Sequence, residues 1–430
     1  ERADLRLIST NIERKMRMEG FDFIRIIITT ISSLQEWILS KCHIFQLPCI
    51  PQIKVYGSIG EGLLYPINCP CERDVDIVYI SEEIVAVEKA SDNIKYNTEI
   101  MRCLIENDQS TPGYCYLRVI HIDSVSCFQN DFTLYFSSSA LRKLIFTGMI
   151  NFNAEADILS NFPELFGIVD AGQLGEQGPA SNFHVTPPLS IYNISKCDIV
   201  FLIPCRNWPA VAYEWISRER RHGWPTEKQI REIVDQGIYF APVGCKKHPL
   251  EGFQWRYSFN DAEKRLVQSF NPTQAKCYVL LKRIICENVT ILIKEDVISS
   301  YHMKTLMFWT IEETDSIVWI PANLVQCIFR VLNRLLQCAE RVYCPSYFLP
   351  DENLFLSKVT LENKGQLIAI LSCIIAEGWP VLTRLSNFAI DNDFHYSLSH
   401  DYGNNTHDTF QMLSSVMTLP RMVASIIQRD

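Results

Sequence analysis

Ile53-Lys54-Val55-Tyr56-Gly57-Ser58-Ile59-Gly60-Glu61 runs from an alternating segment into a glycine–serine turn, and Asp74-Val75-Asp76-Ile77-Val78-Tyr79-Ile80 follows it. The spacing predicts a strand over 53–56, a tight turn at Gly57-Ser58, and a second strand that begins with its two carboxylates. Residues two apart on a strand share a face, so Asp74 and Asp76 point the same way. Held together they repel unless a divalent cation neutralises them, and hard carboxylate oxygens suit Mg2+ or Mn2+. A later β-like run over 197–203, ahead of Pro204, carries Asp198 near its start. If the two strands are neighbours, three carboxylates converge as a two-metal phosphoryl-transfer site requires. Gly57 and Ser58 would then offer backbone N–H groups and a hydroxyl to phosphate oxygens. Each piece has a plain alternative: Asp-x-Asp is often a solvated strand edge, and Gly-Ser a turn with a helix cap. Their order in one chain, turn first, then paired carboxylates, then a distant strand carboxylate, favours the catalytic reading.

The rest of the chain suits a two-lobed enzyme. Its 430 residues are long for one compact domain, and 47% hydrophobic with 21% charged residues excludes disordered, collagen-like and coiled-coil classes. Net charge is −9, from 40 Lys+Arg against 49 Asp+Glu, so any polyanion site must be a local patch. The cysteines are scattered among apolar neighbours, as at Cys286, Cys327 and Cys373, which suits reduced, buried thiols and a cytoplasmic setting. The close pair Cys69-Pro70-Cys71 reads as a turn. The opening residues carry no signal-peptide pattern and no apolar run reaches a bilayer span of roughly 20 residues, so no membrane partner is expected.

Leu5, Ile8, Ile12 and Met16 keep helical spacing, which resumes after Gly20 through Ile38. Short β-like runs lie at 116–122 and 132–136, and 151–186, with Gly172, Gly175 and Gly178-Pro179, reads as a loop-rich insertion. From about Asn260 to residue 388 the pattern is helical, with stripes Leu324/Ile328/Val331/Leu335/Cys338 and Leu367/Ile370/Leu371/Ile374. The stretch 391–409 is polar and reads as a connection to a final short helix. With its Gly57-Ser58 turn, Asp74-x-Asp76 and distant Asp198 the chain resembles the polymerase-β-type nucleotidyltransferases, which implies the fold class α/β (α+β): a bilobed, mixed-sheet nucleotidyltransferase core packed on a C-terminal helical lobe. The expected division is 1–260 for the core with its N-terminal spine helix, 261–388 for the helical lobe and 389–430 for an extension.

Further signatures stand downstream: Asn207-Trp208-Pro209, Gly223-Trp224-Pro225, Trp255-Arg256-Tyr257-Ser258-Phe259 with Glu263, and Ser299-Ser300-Tyr301-His302-Met303-Lys304-Thr305. Pro345-Ser346-Tyr347-Phe348-Leu349-Pro350 with Asn353-Leu354-Phe355 completes the series. In this order, over about residues 1–388, the chain resembles the Mab-type nucleotidyltransferases, the family of cyclic GMP–AMP synthase and the cGAS-like receptors, and is similar to invertebrate members without a zinc insertion. The resemblance implies that Ser58, beside Gly57, contacts the donor triphosphate and that Asp74, Asp76 and Asp198 are the metal-binding triad. It gives Arg256 and Ser258 the nucleobase edges, Lys282 and Ser300 the phosphates, and Tyr301 a stacking face. Side-chain chemistry agrees, since Arg and Ser satisfy base-edge acceptors, Lys neutralises phosphate and Tyr supplies an aromatic face. The bland readings are a core aromatic at Tyr301, a carboxylate partner at Arg256 and a solvated helix residue at Lys282. Glu61 reads as a structural residue at a helix start.

The implied activity is metal-dependent joining of ATP and GTP into a cyclic dinucleotide in innate immunity. Two hydroxyl attacks would each release pyrophosphate, and the product would signal to a STING-type receptor. The alternatives are a silent Mab-type scaffold or developmental protein and a linear oligonucleotide synthetase activated by double-stranded RNA. Between Glu263 and Lys282 stand one cysteine, Cys277, and no histidine, so no structural zinc is expected there. DNA sensing through such an insertion is disfavoured, which leaves double-stranded RNA or another activating ligand, with a ligand-induced dimer as the family implies. RNA would need a basic surface, for which the candidates are Arg2/Arg6/Arg14/Lys15/Arg17, Arg218/Arg220/Arg221 and Lys246/Lys247, each also readable as ordinary solvated surface.

Overall fold

The computed structural model describes residues 2–18, 25, 52–61, 63, 74–81, 84–90, 101–121, 135–143, 168–169, 175–177, 180–189, 194–246, 248–293, 297–356 and 358–385. The chain opens with α1 (Arg2–Met18), whose Ile12 and Met16 are fully buried as the helical stripe requires. The expected continuation to Ile38 lies outside the described residues except for Arg25, whose guanidinium donates to the carbonyls of Val267 and Phe270, each at 3.1 Å.

Among the described residues, eleven strands form the sheet. They are β1 (Gln52–Tyr56), β2 (Asp74–Ile80), β3 (Ile84–Val87), β4 (Met101–Asn107), β5 (Tyr114–His121), β6 (Ile168–Val169), β7 (Gly175–Gln177), β8 (Ala180–Leu189), β9 (Ile194–Cys205), β10 (Ile238–Ala241) and β11 (Gln254–Ser258). Their spatial order is β1-β2-β9-β10-β11-β5-β4-β3, with β8 on β9 and both β6 and β7 on β8. The pairs β2–β9 and β3–β4 are parallel and the others antiparallel, so the sheet is mixed as expected. The single turn α2 (Gly57–Gly60) continues directly from β1, and α3 (Tyr213–Ser217) and α4 (Glu227–Val234) join β9 to β10. The helical lobe holds α5 (Asn260–Gln268), α6 (Pro272–Ile284), α7 (Ser300–Glu312), α8 (Leu324–Arg341), α9 (Leu361–Glu377) and α10 (Pro380–Thr383).

Local signals explain several helix limits. Asn271 caps α6 with Pro272 at its first position, Thr226 caps α4 and Thr360 caps α9, each through a reciprocal capping box. All five stripe residues of α8 are buried, and on α9 Leu367, Leu371 and Ile374 are buried while Ile370 is half-buried. The family-like aromatics build core. Trp208 lies 5.1 Å from Trp215 and 5.3 Å from Phe259, and Phe259 stacks on Phe348 at 4.6 Å between centroids.

Five expectations are corrected. The expected loop-rich stretch 151–186 contains β6, β7 and most of β8, because Ala180–His184 finds a partner in Val200–Lys196 of β9. Strand β9 runs through Pro204, which pairs with Tyr239, rather than ending before it. The expected strand at 132–136 is reduced, among the described residues, to one bridge between Tyr135 and Arg118 before helical geometry begins at 138. Cys373 is exposed on α9, unlike Cys327, which is buried as expected.

Arg218 and Arg220 are not a free basic surface. Arg218 Nη1 stands 3.3 Å from Glu312 Oε1, Nη2 donates to the Tyr347 carbonyl at 3.0 Å, and its guanidinium lies 4.1 Å over the Trp309 ring. Arg220 Nε is 3.3 Å from the same Glu312, so burial has turned surface charge into a bridge between the lobes. Arg6, Arg14 and Lys246 are exposed, Arg17 pairs with Glu13, and the side chains of Arg2 and Lys247 lie outside the described residues.

Candidate active site

The parallel register of β2 and β9 sets Asp74 opposite Lys196, Val75 opposite Cys197 and Asp76 opposite Asp198. Two carboxylate positions more than a hundred residues apart thereby become direct neighbours, at the ordinary strand spacing of about 4.8 Å. Both Asp76 and Asp198 are half-buried. Asp74 begins β2 two positions earlier, and its side chain, like that of Ser58, lies outside the described residues. Among the described residues no three His, Cys, Asp or Glu side chains converge as a metal cluster, so the side-chain geometry rests on Asp76 and Asp198.

Strand β1 pairs with β2 so that Tyr56 faces Asp76, and the next residue, Gly57, turns into α2. Gly57 adopts φ +70, and a Cβ built there would run into the Asp76 carboxylate. Only glycine meets both conditions without strain, so the turn is pressed against the acidic pair. The Glu61 N–H closes the turn onto the Gly57 carbonyl at 3.0 Å. A one-turn helix next to paired carboxylates is a fit cradle for hard divalent cations and the phosphates they carry.

Part-buried ion pairs hold this corner. Lys54 Nζ and the Tyr239 hydroxyl each donate to Asp261 Oδ2 at 2.6 Å, and the Tyr56 hydroxyl donates to Oδ1 at 2.7 Å. Burial pushes the Asp261 carboxyl up, but Lys54 and the two phenols more than offset it and hold the group below the usual carboxylate range. Lys264 Nζ also donates to the Val55 carbonyl at 3.1 Å, tying α5 to the edge strand that delivers Gly57. Lys304 of α7 bonds to Glu61 at the end of the turn and stands 3.3 Å from Glu263 of α5. Glu61 is thus structural as expected, but it closes the single turn α2 instead of starting a helix, and its partner is a lysine from the other lobe. Burial lifts the Glu263 carboxyl, opposed by Lys304 and reinforced by Glu61.

Arg256, half-buried in β11, faces Ala241 on one side and Tyr114 on the other, and Ser258 ends that strand opposite Tyr239. Tyr301 is the second residue of α7, half-buried, and its hydroxyl is pushed well up by burial with Glu263 and Glu352 adding to it. Arg256 and Lys304 act on the same ring in the opposite sense, so these residues share one electrostatic neighbourhood. Ser300 begins α7, and its carbonyl accepts the Tyr278 hydroxyl at 3.3 Å. Lys282 lies on α6 with Nζ 5.7 Å from the Tyr278 ring centroid. The structure therefore links Arg256 with Tyr301, and Ser300 and Lys282 each with Tyr278.

Sequence reading missed Asp261, Lys304 and Glu352. Glu352 is half-buried, and the carboxyl packs on Gly113, where φ is +93 and a Cβ would strike it. Burial lifts this carboxyl to about 7, against the pull of Arg256 and the Ser346 hydroxyl. Lys304 stood inside a quoted signature and could have been noticed there; Asp261 lay unquoted between Phe259 and Glu263, and Glu352 carried no local signal beyond lying beside Asn353.

Comparison with known families finds two consecutive matches. Residues 173–269 match the Mab-21 protein nucleotidyltransferase domain, and residues 273–373 match the Mab-21 protein HhH/H2TH-like domain. The first includes Asp198, Arg256 and Ser258; Gly57, Ser58, Asp74 and Asp76 precede it, and the β2–β9 register joins them to Asp198.

Proposed function

Because this chain belongs to the Mab-21 family, we propose that it is a metal-dependent nucleotidyltransferase that joins two nucleoside triphosphates, ATP and GTP, into a cyclic dinucleotide. The observation that carries the reading is Asp76 placed opposite Asp198 beneath the Gly57 turn. Asp74, Asp76 and Asp198 would hold Mg2+ or Mn2+, which when bound would acidify the attacking hydroxyl and neutralise the departing pyrophosphate. The backbone N–H groups of the Gly57–Gly60 turn and Ser58 orient the triphosphate, and Lys282 and Ser300 contribute to phosphate binding. Arg256 and Ser258 read base edges, Tyr301 offers a stacking face, and Asp198 receives the hydroxyl proton. Lys304 keeps the turn in place without touching substrate. The domain boundaries near 260 and 388, an activating ligand such as double-stranded RNA, a ligand-induced dimer and a STING-type receptor for the product belong to the same proposal. So does a cytoplasmic setting; among the described residues no helix is long and apolar enough to cross a membrane.

The test is incubation with all four labelled nucleoside triphosphates and Mg2+ or Mn2+, with and without double-stranded RNA or DNA. A phosphatase-resistant cyclic product is expected, reduced about a thousandfold in Asp76→Asn and Asp198→Asn, equivalent to about 4 kcal/mol of lost transition-state stabilisation. A linear ladder would assign an oligonucleotide synthetase instead. Absence of product from folded, nucleotide-binding protein under every condition would favour a silent scaffold.

A further inference from the structure

Helix α8 carries a second stripe besides the one it buries. Arg330, Arg334, Gln337 and Arg341 recur at steps of four, three and four residues, so they share one face, turned away from the buried Ile328, Val331 and Leu335. That face lines a groove of about 800 Å³, which is also lined by Glu313 at the end of α7 and by Tyr343 and Pro345 just past α8.

The three arginines differ in what they meet. Arg334 is neutralised in place: its guanidinium holds both oxygens of Glu313, with Nη2 2.9 Å from Oε1, and lies 5.7 Å from the Trp309 ring centroid. Arg330 and Arg341 are exposed, and neither meets a carboxylate among the described residues. Arg341 has a local reason for its place, since a cation in the last turn complements the helix dipole. Arg330 stands mid-helix and has no such reason. On a chain of net charge −9, two uncompensated arginines along one groove are a local reversal of sign.

The spacing selects an elongated anion. At the rise of a helix, Arg330 and Arg341 stand about 16 Å apart along α8, which a compact anion does not span. An extended peptide covers that distance in about five residues. The lining favours a peptide over a polynucleotide, because phosphates only accept hydrogen bonds and the groove also presents acceptors. Asn333 donates its Nδ2 to the Phe329 carbonyl at 2.7 Å and keeps its Oδ1 to offer, while Gln326 and Gln337 bring amide oxygens and Glu313 a carboxylate. Peptide N–H groups satisfy such acceptors, whereas a row of phosphates would be repelled by Glu313. Apolar surface is present as well. Phe329 and Pro345 are half-buried, and Tyr343, 41% exposed, has its hydroxyl committed to the Pro350 carbonyl at 2.6 Å and so presents its ring.

We infer that the groove between α7 and α8 is a docking site for an extended acidic segment of a partner protein. Two carboxylates about four to six residues apart meet Arg330 and Arg341, the side-chain amides bond the segment's backbone, and an apolar side chain between the acids rests on Phe329 and Tyr343. The groove lies within the stretch matched to the HhH/H2TH-like domain and uses none of the residues assigned to nucleotide chemistry. The inference therefore goes beyond the proposed function and does not rest on it.

The experiment is selection of a phage-displayed library of random dodecapeptides on the whole chain and, in parallel, on Arg330→Glu/Arg341→Glu, with the winners measured by fluorescence anisotropy. Peptides selected on the unaltered chain should carry two acidic positions about four to six residues apart with an apolar residue between them. Their affinity should fall about tenfold or more in the double variant, and severalfold between low salt and roughly 0.3 M salt. Lys228→Glu/Arg231→Glu, which reverses the same charge on the exposed side of α4, should leave binding unchanged. Arg330→Gln/Arg341→Gln, which only removes the charges, should weaken binding to a lesser degree than the reversal. Selection without an acidic consensus, or acidic peptides that bind the double variant equally well, would overturn the inference. Arginine-dependent binding of a fluorescent oligouridylate in place of the peptides would also overturn it and give the groove to nucleic acid. None of these readouts involves nucleotide turnover, so an inactive enzyme bears on the proposed function alone and an empty groove on the docking site alone.

Discussion

Two paired lysines, one buried and one half-buried, divide the molecule into a scaffold region and a working region. Lys276 of α6 is fully buried and pairs with Glu13 of α1 at 2.9 Å, and Glu13 also holds Arg17. One carboxylate there serves two cations, and the Glu13 carboxyl is held low: burial lifts it, but the bonds from Arg17 and Lys276 more than offset that. Lys304 of α7 is shared instead by two carboxylates, Glu61 and Glu263, and Glu263 is lifted rather than lowered. The first cluster fastens one helix to another with its electrostatics satisfied. The second concentrates negative charge beside the Gly57 turn and within reach of Arg256. An unfavourable surplus tolerated in a buried position is typical of sites kept for chemistry rather than for stability.

The sharpest way to break this comparison is to remove each cation. Lys304→Met should cost about 3–5 kcal/mol of stability, because it leaves two buried carboxylates without their shared partner. Lys276→Met should cost less, about 2 kcal/mol, since Glu13 keeps Arg17. Chemical denaturation of both variants checks the order, and equal losses would show that the surplus charge at Lys304 has no energetic meaning. Gly57→Ala comes next, at about 1–2 kcal/mol, because the new Cβ meets both a positive φ and the Asp76 carboxylate. It should lower nucleotidyl transfer more than stability, which parallel melting and turnover measurements would separate.

The smallest expected effect concerns Glu352, lifted to about 7 from an ordinary carboxylate value of 4.5. Between those values the folded chain binds a proton that the unfolded chain does not. Stability from this group is therefore gained as pH falls through about 7 and lost as pH rises. Melting curves between pH 8 and pH 6 should show a rise on acidification, on the order of 1 kcal/mol, that Glu352→Gln flattens. Glu13 works in the opposite direction, its stabilising contribution being lost only as strong acid protonates it.

Much of the architecture was legible because it follows local periodicity. The α8 stripe and the alternation of β1 and β2 are consequences of side-chain spacing. The β8 strand was not legible. The glycines and proline just ahead of it indicate a loop, and only pairing with β9 makes the segment extended. The Arg218/Arg220 surface failed for a related reason: an arginine-rich stretch looks the same whether water or Glu312 receives it.

The sequence by itself determined which residue types could hold phosphate and metal, through Gly57-Ser58, Asp74-x-Asp76 and Asp198. Tertiary structure alone decided that Asp76 stands opposite Asp198, because strand register is a contact between distant segments that no local period encodes. It also decided that Lys304 reaches Glu61 across 243 residues of chain. An exposed lysine would have been screened by water, and burial at the junction of turn, α5 and α7 makes this one a tie between the candidate phosphate turn and the helical lobe.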